Sequence, residues 1–230
     1  MLPRFVELLS LSDWVALAIF LVGWIGYSLY ADRGRVGARG LRGITSAHRL
    51  AWGYEMTRRE NRIADAALIG NLMSSVSFWA NTTIYIIAGL LAVAGTLDKL
   101  VSVTSELPFA RAEPREVLEL KMFLLIGIFI FAYFKFTWSL RQFNFLSIIL
   151  GATPPASRPR EELATHAERF GTINALSGDE FNGGIRAYYF GFAALGWFAH
   201  PALFAAATLG VLAVLFRRDF HSHTFVALKG

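Results

Sequence analysis

Hydrophobic and polar positions along this chain fall in long blocks, not in short alternations. Apolar runs occupy about 12–31, 68–95, 120–142 and 187–216, and the charges gather between them. A helix that crosses a bilayer needs about 20 mostly apolar residues. The pattern therefore predicts an all-α integral membrane protein with four spans, organised as one membrane domain over 1–230. The first run carries Trp14, Trp24, Tyr27 and Tyr30 toward its two ends, where an interfacial aromatic belt belongs. The third opens after Pro114, with Glu119 and Lys121 as its outer boundary, and stays apolar to Leu150. One helix from Glu116 to Leu150 would measure about 52 Å, well past a hydrocarbon core of about 30 Å. Its far end needs cover from protein.

The polar segments set the orientation. Residues 32–66 hold Arg33, Arg35, Arg39, Arg42, Arg49, Arg58, Arg59 and Arg62, whereas 97–117 hold only Lys99, Arg111 and Arg115 against four acids. Basic loops stay on the cytoplasmic side, so 32–66 and 152–185 are expected there and both termini outside. The tail RRDFHSHTFVALKG disagrees, since it puts Arg217, Arg218 and Lys229 on the outer side. Within the first loop GRVGARGLRG reads as flexible. The stretch after it has helical spacing, with Trp52, Met56, Ile63 and Ala67 on one face and a Glu55–Arg59 pair on another. The spacing predicts an amphipathic cytoplasmic helix that leads unbroken into the second span. Arg49, Arg58, Arg59 and Arg62, together with Arg141 at the inner end of the third span, would then contact anionic headgroups or a partner.

Composition changes the picture only by exclusion. The chain is 55% hydrophobic and 17% charged, more apolar than soluble domains at about 45–50%. The absence of cysteine removes disulfides and thiolate chemistry. The net charge of +5 is a matter of sidedness in such a protein and does not point to nucleic acid. His221 and His223 lack a third metal ligand, FNGGIR lacks the context of a phosphate loop, and no Ser–His–acid set has a usable spacing. Neither an enzyme nor a cofactor is expected.

Four segments together, RRENRIADAALIGNLMSSVSFWANTTIYIIAGL, FKFTWSLRQFNFLSIILGA, FNGGIRAYYF and WFAHPALF, resemble a family of bacterial and plant membrane proteins. That family is catalogued as a domain of unknown function, number five-nine-nine. The resemblance runs from Arg49 to Arg218. It implies an integral membrane protein of about four spans, for which the bacterial plasma membrane is the expected location, and supplies no functional residue.

Polar groups inside the spans carry the remaining expectations. Asn71, Ser74, Asn81 and Thr82 form a stripe on one side of the second span, suited either to gluing helices together or to lining a pathway. Lys135, Ser139 and Gln142 share a face of the third span, while Arg141 fits a cytoplasmic boundary charge. The plainer reading of Lys135 is a snorkelling interface cation; the sharper one is a basic face meeting the stripe and favouring an anion. His200 falls near the middle of the fourth run with Pro201 behind it, a kink and a candidate gate. These residues suggest a homo-oligomeric channel or carrier for a small, anionic solute. The rival is a non-transporting accessory subunit whose arginines dock lipid or a larger complex. The lipid bilayer and further copies of the chain are the expected partners.

Overall fold

A computed structural model describes residues 8–32, 34–96 and 114–229. Lys99 and Arg111 of the loop expected outside, and Arg33, lie outside the described residues, as does the side chain of Arg35. Eight helices make up the described chain: α1 Leu11–Asp32, α2 Gly34–Arg39, α3 Leu41–Arg58, α4 Ile63–Ala94, α5 Arg115–Gly151, α6 Arg160–Ala199, α7 Pro201–His221 and α8 His223–Lys229. Among the described residues, four stretches are long and apolar enough to cross a membrane: α1, α4, α5 and the run Pro201–Lys229.

Local chemistry sets several boundaries. Ser10 caps α1: its carbonyl accepts from Asp13 and Trp14, while the Asp13 carboxylate takes the Ser10 amide at 3.1 Å and its hydroxyl. This is a capping box built with Asp at the third helical position. Pro114 precedes α5 and accepts the Val117 amide at 3.0 Å.

Three sequence expectations need correction. The amphipathic helix does not run on into the second span. It stops at Arg58, where Arg59 turns extended (φ −86°, ψ 137°), and α4 begins afresh at Ile63 with its amide on Asn61 Oδ1. Met56 is fully buried and Ile63 is exposed, so they share no face, and Glu55 pairs with Arg58 instead of Arg59. The glycine-rich segment is not a flexible linker but α2 and the start of α3. Its glycines permit close approach: a Cβ on Gly40 would stand 2.8 Å from the Phe220 ring, and one on Gly37 2.5 Å from the Ala31 carbonyl. The run 187–216, read as one span, is cut at His200. Proline lacks an amide hydrogen and forces the preceding residue away from the helical region, and the chain doubles back there. The Trp197 and Phe204 rings stack at 5.1 Å, and a Cβ on Gly196 would meet the Leu203 backbone at 3.3 Å.

The chain forms two units. Unit 1 takes Met1–Leu29, Thr82–Ala132 and Ile185–Arg217; unit 2 takes Tyr30–Asn81, Tyr133–Gly184 and Arg218–Gly230. In unit 1 the end of α6 runs antiparallel to α1, as Trp197 bonds Asp13, Phe190 meets Phe20 and Arg186 lies over Tyr27. The start of α7 runs parallel to α1, with Phe20 against Phe204 at 4.9 Å and Gly23 against Leu212.

Unit 2 is built around the first part of α6, which is helical from Arg160 where the apolar pattern predicts the loop 152–185. Helix α3 lies antiparallel along it. Gly53 faces Ala167, Leu50 faces Gly171, Arg49 faces Asn174 and Gly178, and Arg42 reaches Asp179. Small residues at Ala167, Gly171 and Gly178 let the two backbones close up. On another side α5 is also antiparallel, through Ile149 with His166, Ser139 with Ser177 and Lys135 with Glu180. The tail belongs to this unit, with Phe220 against Tyr30 at 5.8 Å and against Gly40.

Candidate functional site, a polar seam on α6

Where α6 reads TINALSGDEFNGG, its polar side chains face two neighbours. Toward α5, the Lys135 ammonium donates to Glu180 at 2.9 Å and the Ser139 hydroxyl to the Ser177 carbonyl at 2.7 Å. Ser139 is wholly buried, and the aliphatic stem of Lys135 runs past the bare backbone of Gly183. Gln142 is buried one turn further along, with no partner for its Oε1 among the described residues. The face holding Lys135, Ser139 and Gln142 is thus turned onto α6, and its lysine meets a carboxylate rather than the amide and hydroxyl stripe of α4.

Toward α3, Arg42 pairs with Asp179 at 2.6 Å and donates to the Asp32 carbonyl at 2.7 Å. The contact with Asp179 holds the Arg42 guanidinium pKa above its ordinary value. Arg49 donates to the carbonyl and, at 2.8 Å, to the side chain of Asn174, and its guanidinium fills the space over Gly178. No carboxylate among the described residues bonds Arg49, and burial pushes its pKa down against the opposing pull of Asp179. Asn174 Nδ2 and Arg42 Nε are buried without an acceptor among the described residues. The seam is therefore a strip of donors and ion pairs whose chemistry is to lock three helices together.

The other expected lipid contacts divide. Arg58 is exposed beside Glu55. Arg59 and Trp52 both donate to the fully buried Asp65, at 2.7 and 2.6 Å. Arg62 donates to the Met56 and Pro154 carbonyls. Arg141 is exposed, its guanidinium 5.8 Å from both the Trp138 and the Phe145 ring centroid, as an interface cation would sit.

The α4 stripe and His200 lie elsewhere. Asn71, Ser74 and Asn81 are exposed on the outside of α4 and make no side-chain hydrogen bond within the described residues, while Thr82 is half-buried. Thr83 is buried, its hydroxyl 2.7 Å from that of Tyr188. His200 is exposed at the break between α6 and α7, its Nδ1 accepting the Ala202 amide at 3.1 Å, so it sits between two helices and not within one.

One cluster carries no signal in helical spacing. In unit 1 Lys121, a boundary charge by its place in the sequence, is buried. It donates to the Trp197 carbonyl at 2.7 Å and lies over that indole, whose Nε1 donates to the buried Asp13. An acid at the start of the first span and a lysine at the start of the third were a legible signal, since both are costly in a membrane unless paired.

No curated protein and no solved structure matches the chain. The profile of a protein family of unknown function, DUF599, matches residues 15–224. With that match over nearly its whole length, the chain belongs to the DUF599 family of proteins of unknown function.

Proposed function

We propose that this chain is the repeating subunit of a homo-oligomeric membrane assembly, with the polar face of α4 turned toward neighbouring copies, and that a small solute passes along that seam. One observation carries the reading. Asn71, Ser74 and Asn81 lie on the open face of an apolar helix with no side-chain hydrogen bond among the described residues. Amides facing acyl chains leave donors and acceptors unsatisfied, which costs several kcal/mol each by order of magnitude. A second copy around an axis along the membrane normal sets each Asn opposite its own equivalent, and an amide both donates and accepts.

The lining so formed is uncharged. Lys135 spends its charge on Glu180, so the geometry gives no support to a preference for anions. A second reading, a non-transporting accessory subunit, is favoured by a different observation: Lys135, Arg42 and Arg59 are each tied to a carboxylate of their own chain and serve as bolts. Flux through proteoliposomes of the purified protein separates the two. The pathway reading predicts solute flux that Asn81→Leu alters and Lys135→Met leaves nearly unchanged. Sealed vesicles with intact assemblies would leave the accessory reading.

The proposal also places the tail on the same side as the arginine-rich segment. The end of α6 and the start of α7 form opposed strokes beside α1, so the 185–199 stretch counts as a further traverse in addition to the four apolar helices. Arg217, Arg218 and Lys229 then join Arg42 and Arg58 on the cytoplasmic side, and the charge conflict in the sequence disappears.

A further inference from the structure

On the outward side of the Lys135–Glu180 pair, α5 and α6 leave an open groove of about 570 Å³, lined by Phe134, Lys135, Thr137, Trp138, Arg141 and Glu180. Two cations and one anion line it, so it carries a surplus positive charge. Its walls are aromatic and open: Phe134 is 64% and Trp138 47% exposed. Arg141 has no carboxylate partner among the described residues and lies against Trp138 and Phe145, which orient its donors without neutralising them. Past the groove, α5 exposes Phe145 and Ile148. A tryptophan, an arginine and large apolar side chains at one level of a spanning helix mark the headgroup boundary.

We propose that this groove binds one anionic phospholipid headgroup. The lipid phosphate lies between the Arg141 guanidinium and the Lys135 ammonium, and the upper acyl chain runs along Phe134 and Trp138; the Thr137 hydroxyl donates to the Phe134 carbonyl at 3.1 Å and adds no donor. Each part answers to an observed feature. Arg141 offers a planar fork of donors to phosphate oxygens. Glu180 holds Lys135 in position and limits the net charge of the groove to one, which suits a single monovalent headgroup. The aromatic walls prefer a ligand with an apolar body to a bare ion. The site depends neither on assembly through α4 nor on transport.

Native mass spectrometry of the purified protein, equilibrated with phosphatidylglycerol or with phosphatidylcholine, tests the assignment. Wild-type protein should retain phosphatidylglycerol in preference. Arg141→Gln, an exposed position that carries no ion pair among the described residues, should cut that retention about fivefold, the effect of one lost basic contact at a membrane surface. Trp138→Leu should weaken retention of both lipids, and Arg158→Gln, exposed in the turn before α6, should change neither. Equal retention of the two lipids, or an Arg141→Gln protein that behaves as wild type, overturns the proposal. So does displacement of phosphatidylglycerol by inorganic phosphate, which would make the groove a simple anion site.

Discussion

Lys135 and Glu180, forty-five residues apart in sequence, face each other across 2.9 Å between α5 and α6. Both side chains retain partial exposure, 33% and 23%, so the pair is screened, and its coupling should be near 1 kcal/mol and not the larger value of a dry ion pair. A double-mutant cycle with Lys135→Met and Glu180→Leu measures it directly. Losses that simply add would show that the two residues do not act on each other.

Asp65 should be far less forgiving. It is fully buried and accepts from both Trp52 and Arg59. Asp65→Ala strands a guanidinium and an indole donor near the bend between α3 and α4, at a cost of about 3 kcal/mol. Thermal unfolding in detergent reads this as a fall in midpoint. Pairing the change with Arg59→Met should restore part of the loss.

Gly53→Ala tests the closeness of α3 to α6. The new methyl would sit 2.5 Å from the Ala167 carbonyl, and a backbone atom cannot swing aside as a side-chain tip can. Overpacking of this kind costs about 2 kcal/mol. Gly70→Ala, inside α4 where a Cβ meets nothing within 4 Å, is the matched control and should leave the unfolding midpoint unchanged or raise it slightly, since alanine is the better helix former.

The natural absence of cysteine makes sidedness easy to measure. Single cysteines at His48 and Ser222, labelled with an impermeant maleimide in intact cells, should react alike, because the tail packs against Gly40 and α3 in unit 2. Labelling of one from outside and the other only after permeabilisation would refute the shared side.

Much of the fold was legible because hydrocarbon imposes a simple rule. The apolar runs at 12–31 and 68–95 appear as α1 and α4 within a few residues, and the overlong third helix, expected from Glu116 to Leu150, is α5. What stayed hidden depends on pairing at a distance. The charges of Asp179 and Glu180 looked like those of a cytoplasmic loop until α3 and α5 supplied Arg42 and Lys135. The bend at His200 was legible in Pro201 as a kink, but whether a proline bends a helix or ends it depends on what packs behind it. Here Gly196 and the stacking of Trp197 on Phe204 admit a full reversal. The candidate residues divided for the same reason: helical spacing located the α4 stripe and the Lys135 face separately, and only packing could say that they do not meet.

The central claim, that the polar face of α4 looks onto another copy of the chain, is tested most directly by cross-linking in the membrane. Single cysteines at Ser74 and Asn81, on that face, and at Ile148, on an exposed apolar face of α5, are oxidised in native bilayers and resolved by size. The account predicts disulfide-linked dimers for Ser74→Cys and Asn81→Cys and none for Ile148→Cys. Monomers at all three positions, with the Asn81 cysteine accessible to a lipid-soluble thiol reagent, would contradict it.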